Sequence, residues 1–108
     1  MKSLKFSDPK PELILKGRKI STWRINDEKG ISAGDRLSLC HNSGKEFARA
    51  EVISTKEAAL GSLSEEDRSD HEKFESEERM YQKYSEWYGF KVTPRTRVKV
   101  IKFKLLSH

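Results

Sequence analysis

Gly17-Arg18-Lys19-Ile20-Ser21-Thr22-Trp23-Arg24 is the stretch on which the architecture of this 108-residue chain turns. It packs a glycine, three cations, two hydroxyls and a tryptophan into one octet. An apolar run over residues 11–15 leads into it, and alternation follows it. That order predicts a short helix stopped at Gly17, then a strand that begins at Lys19. A cation held where a helix hands over to a strand, three residues before a threonine, is placed like part of a site. On the strand Thr22 and Arg24 share a face. Lys19 has the opposite parity, which the entrance of a strand permits.

Working outward, Leu4 and Phe6 alternate with polar neighbours and predict a first short strand. Asp8-Pro9 ends it, and Pro11 suits the first turn of a helix. After the octet, Asn26-Asp27-Glu28-Lys29-Gly30 reads as a loop, and Gly34-Asp35 as a turn before Leu37 and Leu39, which are in strand phase. His41-Asn42-Ser43-Gly44 reads as a hairpin turn into a strand over 46–53. There Ala48, Ala50 and Val52 share one face while Phe47, Arg49 and Glu51 share the other. Small inward residues suit a tightly curved sheet. Residues 56–60 read as a helical turn stopped by Gly61. Ser64 before Glu65, Glu66 and Asp67 reads as an N-cap with acids in the first turn.

A longer helix begins near Ser76, sets Met80, Tyr84, Trp87 and Tyr88 on one stripe, and stops at Gly89. The stripe reads as packing against the sheet; its functional counterpart is a base-stacking platform. In the last strand, over 97–106, Val98 and Val100 lie on one face and Ile101, Phe103 and Leu105 on the other. Such a phase shift is expected of a bulge, or of a strand closing a small barrel. The order β-α-β-β-β, helices, β is α+β with a strongly bent sheet and flanking helices, in a single domain over 1–108.

Hydrophobic residues make up 34% of the chain and charged ones 36%, so the core is small and covered by long side chains. No apolar stretch reaches membrane-spanning length, and Met1-Lys2-Ser3-Leu4-Lys5 lacks the apolar core of a signal peptide. One cysteine, Cys40, cannot form an internal disulfide. A soluble, cytoplasmic protein is the expectation. The net charge of +5 hides a segregation. Residues 63–79 hold Glu65, Glu66, Asp67, Asp70, Glu72, Glu75, Glu77 and Glu78 against Arg68, Lys73 and Arg79, which leaves +10 on the remainder. A basic body with an acidic segment points to a polyanion partner, RNA first.

Few residues are placed for chemistry. His41, His71 and His108 are far apart, and Cys40 and His41 point to opposite faces of a strand, so no metal site is expected. There is no phosphate-binding P-loop, no GxSxG elbow and no dinucleotide fingerprint, so no cofactor is expected either. Cys40 reads as a small residue at a strand end. Lys19, Thr22, Arg24 and the acidic segment remain. A threonine hydroxyl is a poor nucleophile until something takes its proton. A free lysine titrates near 10.4, so about one in 2,500 is neutral at pH 7. Making Lys19 a base costs about 4 kcal/mol; holding a phosphate or a base edge with the same cation costs nothing of the kind.

Gly17-Arg18-Lys19 with Thr22 and Arg24 resembles the G-x-K-x-x-T-x-R signature of ASCH domains, relatives of the PUA domains built on a small bent β-barrel. Gly34-Asp35 resembles that family's turn before its next strand. Glu72-Lys73-Phe74 with Ser76 and Glu77 resembles its acidic loop, and Val100-Ile101-Lys102-Phe103 its closing strand. The resemblance implies a PUA-like barrel with a cleft that binds RNA or a modified nucleoside. It extends to a bacterial branch of N4-acetylcytidine amidohydrolases. Carried over from that branch, the catalytic set is Lys19, Thr22 and Glu72. Thr22 attacks the acetyl carbonyl, Lys19 takes its proton and Glu72 assists the departing amine. Arg18, Ser21 and Arg24 are the accompanying ligand-binding residues. This chain departs from that branch at Ile20, where a threonine is common, and at Trp23. The acidic loop aligns only with a one-residue adjustment, which keeps Asp70 and Glu75 as alternatives to Glu72. ASCH domains also occur as interaction modules of transcription coactivators, a third possible role.

Overall fold

The computed structural model describes residues 1–25, 29–68 and 74–106. Its elements run β1 (Lys2–Phe6), α1 (Lys10–Leu15), β2 (Ser21–Arg24), β3 (Arg36–His41) and β4 (Glu46–Ala59). A 3-10 turn (Leu60–Ser62), α2 (Glu65–Arg68), α3 (Glu77–Tyr88) and β5 (Arg97–Leu105) complete it. The five strands form one sheet in the order β1-β3-β4-β5-β2. β1 pairs with β3 in parallel, and the other pairings are antiparallel. The two edge strands, β1 and β2, are therefore the two that flank α1. The sheet curls into a half-barrel, and its edges approach until Arg24 Nη2 on β2 donates to the Lys5 carbonyl on β1 at 3.0 Å. This is the α+β bent sheet that the order of elements predicts.

Gly17 does what its position implies. Its φ of +74° lets the chain turn back after α1, and its N–H donates to the Ile14 carbonyl at 3.0 Å. The next two N–H groups, of Arg18 and Lys19, both reach the Leu13 carbonyl, at 2.9 and 3.3 Å. Regular pairing consequently begins at Ser21, two residues later than alternation predicts, because the helix end still holds Lys19.

Two apolar clusters share the sheet. Leu4, Phe6, Ile14, Leu37, Leu39, Ala50, Val52, Ile101 and Phe103 belong to the first. Trp23, Ile25, Leu60, Met80, Tyr84, Val98 and Val100 belong to the second, beneath α3. β5 serves both. Its phase changes between Val100 and Ile101, where the strand passes from one cluster to the other. The extra residue that accommodates the bend lies in the partner strand. Val52 pairs with Phe103 and Ser54 with Lys102, so Ile53 is bulged out and 56% exposed.

Residues 56–59 correct the sequence reading. They continue β4 and pair Lys56 to Ala59 with Val100 to Arg97, where local propensity suggests a helical turn. Pairing to a long β5 outweighs that propensity. The helical turn falls at Leu60–Ser62 instead. Ser64 caps α2 as predicted, accepting from the Asp67 N–H at 3.2 Å, and Ser76 caps α3 by accepting from Arg79 N–H.

Asp67 is buried and ion-paired to Lys56 at 2.8 Å. That hydrogen bond, aided by Ser64 and opposed by burial, holds its carboxyl below the ordinary carboxylate range. Lys2, at 2.8 Å, and the Ser32 N–H do the same for Asp35. Both acids bind protons more readily when unfolded. Their contribution is full above about pH 4–5 and is lost as pH falls through the depressed values. Asp67→Asn should therefore flatten the acid limb of stability, removing on the order of 1 kcal/mol at neutral pH, since Lys56 is more than half exposed and screened. Urea melts from pH 7 to pH 3 measure it.

Candidate functional site

A cavity of about 430 Å³ opens in the seam where the sheet's two edges approach. One wall comes from the end of β1 and the start of α1, with Lys5, Phe6, Ser7 and Lys10. The facing wall is the octet, with Lys19, Thr22, Trp23 and Arg24. Tyr84, Trp87 and Tyr88 of α3 form the third side, and Asn42 of the β3–β4 turn the rim. Four cations and five aromatic rings thus line one space. Among the described residues no carboxylate lines it.

The backbone fixes the octet's side chains. On one side of Lys19 the Leu13 carbonyl holds its N–H; on the other, Phe103 N–H donates to the Ile20 carbonyl at 3.0 Å. Inside these two ties Lys19 is 4% exposed and Thr22 5%, while Ile20 between them faces out. Lys19 and Thr22 face the same cavity despite their parity, because Lys19 precedes the paired part of the strand. Burying an ammonium is costly unless the surroundings answer its charge. Arg24 spans the cavity's base, with Nη2 on the Lys5 carbonyl and its guanidinium 5.0 Å over the Phe6 ring.

Trp23 is 4% exposed and packs in the second cluster, stacked on Tyr84 at 6.2 Å, with Nε1 donating to the Asp67 carbonyl at 3.4 Å. The Tyr88 hydroxyl accepts from Ile25 N–H at 3.2 Å, which ties α3 to the end of β2. These contacts make an aromatic back wall.

Of the residues singled out from sequence, the structure brings Lys19, Thr22 and Arg24 together on the cavity. Arg18 is exposed and Ser21 is fully buried, and neither lines it. Glu75 is exposed and off the lining. Glu72 and Asp70 lie outside the described residues. Sequence reasoning missed Lys5, Ser7, Lys10 and Asn42. They reach the cavity through the strand order and the curl of the sheet, which no local pattern announces. Among the described residues no group of three or more His, Cys, Asp or Glu side chains is placed to hold a metal ion. No described helix is long and apolar enough to cross a membrane.

No family model and no curated protein sequence matches the chain. Solved structures do. An ASCH domain from Lactobacillus crispatus superposes with a TM-score of 0.68 at 16% identity, over 91% of this chain and 70% of that one. Protein EF3133 from Enterococcus faecalis gives 0.77 at 15% identity, over 98% and 76%. An ASCH protein variant from Zymomonas mobilis gives 0.62 at 14%, over 94% and 66%. The chain therefore has the ASCH-domain fold, the small PUA-like α+β architecture that the octet's motif implies.

Proposed function

We propose that the seam cavity binds a nucleotide-like ligand, the unpaired base and sugar of an RNA strand or of a nucleoside. The observation that carries this reading is the lining itself, with Lys5, Lys10, Lys19 and Arg24 interleaved with aromatic rings. Cations answer phosphate and base acceptors, and rings answer the faces of bases. The volume falls in the range of small-molecule sites, about 300–1,000 Å³. Calorimetric titration with a short oligouridylate tests it. Affinity should fall with salt, by a slope of about −0.7 in log K per phosphate contacted. Binding that ignores salt would contradict it.

A second reading, hydrolysis of N4-acetylcytidine, is favoured by the burial of Lys19 and Thr22 in one cavity. Thr22 Oγ1 forms a bond to the acetyl carbon as its proton passes to a neutral Lys19 amine. The C–N bond then breaks, with Glu72 delivering a proton to the departing amine, and cytidine leaves. Water cleaves the threonine ester and releases acetate. Thr22→Ala should then lower turnover by at least about 10³-fold, as loss of a nucleophile does. Chromatographic detection of cytidine measures this. Full turnover by that variant would remove the mechanism and leave the binding reading standing.

A further inference from the structure

We propose that Trp87 is the surface on which a base stacks in this cavity, and that Lys10 occupies that surface until the base arrives; this rests on the nucleotide-binding reading above. The stripe on α3 predicts core packing for all its aromatic members, and the structure divides it. Met80 and Tyr84 are 4% and 3% exposed, whereas Trp87 is 50% exposed and lines the cavity. Burial accounts for the first two and not for the indole.

The ring is nonetheless held. Tyr84 meets it edge-on at 5.1 Å and 74°, and Phe74 lies 6.4 Å away. From the opposite wall, Lys10 at the start of α1 sets its Nζ 4.7 Å from the indole centroid. This contact joins α1 to α3 at the cavity that Lys19 and Thr22 also line. An ammonium over an exposed ring is a weaker partner than a stacked base. A purine or pyrimidine ring therefore takes the place of the ammonium on Trp87. The displaced Lys10 stays within reach of the ligand's sugar or phosphate. A base in a duplex has both faces covered, so the ligand class is one with an unpaired, unstacked base.

The test uses the full chain and a short oligouridylate, whose bases stack weakly on one another. Tryptophan fluorescence and calorimetry are read on wild type, Trp87→Phe and Trp87→Ala. Thermal melts confirm that each variant folds. The single strand should quench wild type, and Trp87→Phe should lose the share of that quenching that comes from Trp87 while binding within about threefold of wild type. Trp87→Ala should bind about tenfold more weakly. An RNA duplex should neither quench nor compete. Without ligand, Lys10→Ala should raise the acrylamide quenching assigned to Trp87 by difference from Trp87→Phe. Calorimetric binding with no quenching from Trp87, and none of the tenfold loss, overturns the stacking role and leaves the cavity reading intact. Unchanged acrylamide quenching in Lys10→Ala overturns the part assigned to Lys10. No binding of the single strand by wild type overturns this inference and the binding reading together.

Discussion

Lys19→Met should weaken oligouridylate binding ten- to a hundredfold while leaving the fold in place. Methionine matches the length of the lysine stem and fills the same buried space. Only the ammonium and its hydrogen bonds are lost. Hydrogen bonds to a charged group contribute about 1.5–3 kcal/mol each, which is that range of affinity. Lys19 is 4% exposed, so bulk solvent does not stand in for its charge. Lys104→Met serves as the control, because Lys104 is exposed near the end of β5 and lines no part of the cavity. It should change affinity less than about threefold, as one screened surface charge among many does. Equal losses in the two variants, measured by calorimetry at one salt concentration, would mean that a diffuse basic surface binds the ligand.

Ile101→Ala should be the most damaging single truncation for stability, costing about 3–4 kcal/mol. Ile101 is fully buried, pairs with Thr22 on β2 and Thr55 on β4, and stands where β5 leaves one apolar cluster for the other. A void there cannot collapse without shifting two neighbouring strands. For a domain of this size the midpoint of thermal unfolding should fall by roughly 15–25 °C. Ile101 is the cross-strand partner of Thr22, so ligand binding should weaken as well. Ile53→Ala, at an exposed bulge next to this row, should cost under about 0.5 kcal/mol. A small loss at Ile101 would contradict its place at the junction of the two clusters.

Most of the fold is legible locally. Gly17, Gly89, Ser64 and Ser76 mark helix ends through caps that depend on a few neighbouring residues, and each caps as read. Leu37, Leu39, Ala50 and Val52 alternate toward one core because a sheet's period is two. What local pattern misses is set by distant partners. Residues 56–59 look helical alone and become strand because Val100 to Arg97 lie alongside. The start of β2 shifts because the Leu13 carbonyl reaches forward to Lys19.

The site divides the same way. Lys19, Thr22 and Arg24 lie within one motif and can be read together. Lys5 and Lys10 enter only because the sheet curls until β1 meets β2, a property of the whole strand order. The helical stripe on α3 gives the direction of Trp87 but not its exposure, which depends on where the cavity interrupts the core.

The proposed ligand site is the seam between the sheet's edges. An amide-resolved NMR titration of the labelled chain with oligouridylate tests it most directly. Shifts should concentrate at Phe6, Lys10, Lys19 to Arg24 and Tyr84 to Tyr88. Shifts centred instead on the outer residues of β3 and β4, such as Ser38, Arg49 and Glu51, or no shifts at millimolar ligand, would contradict it.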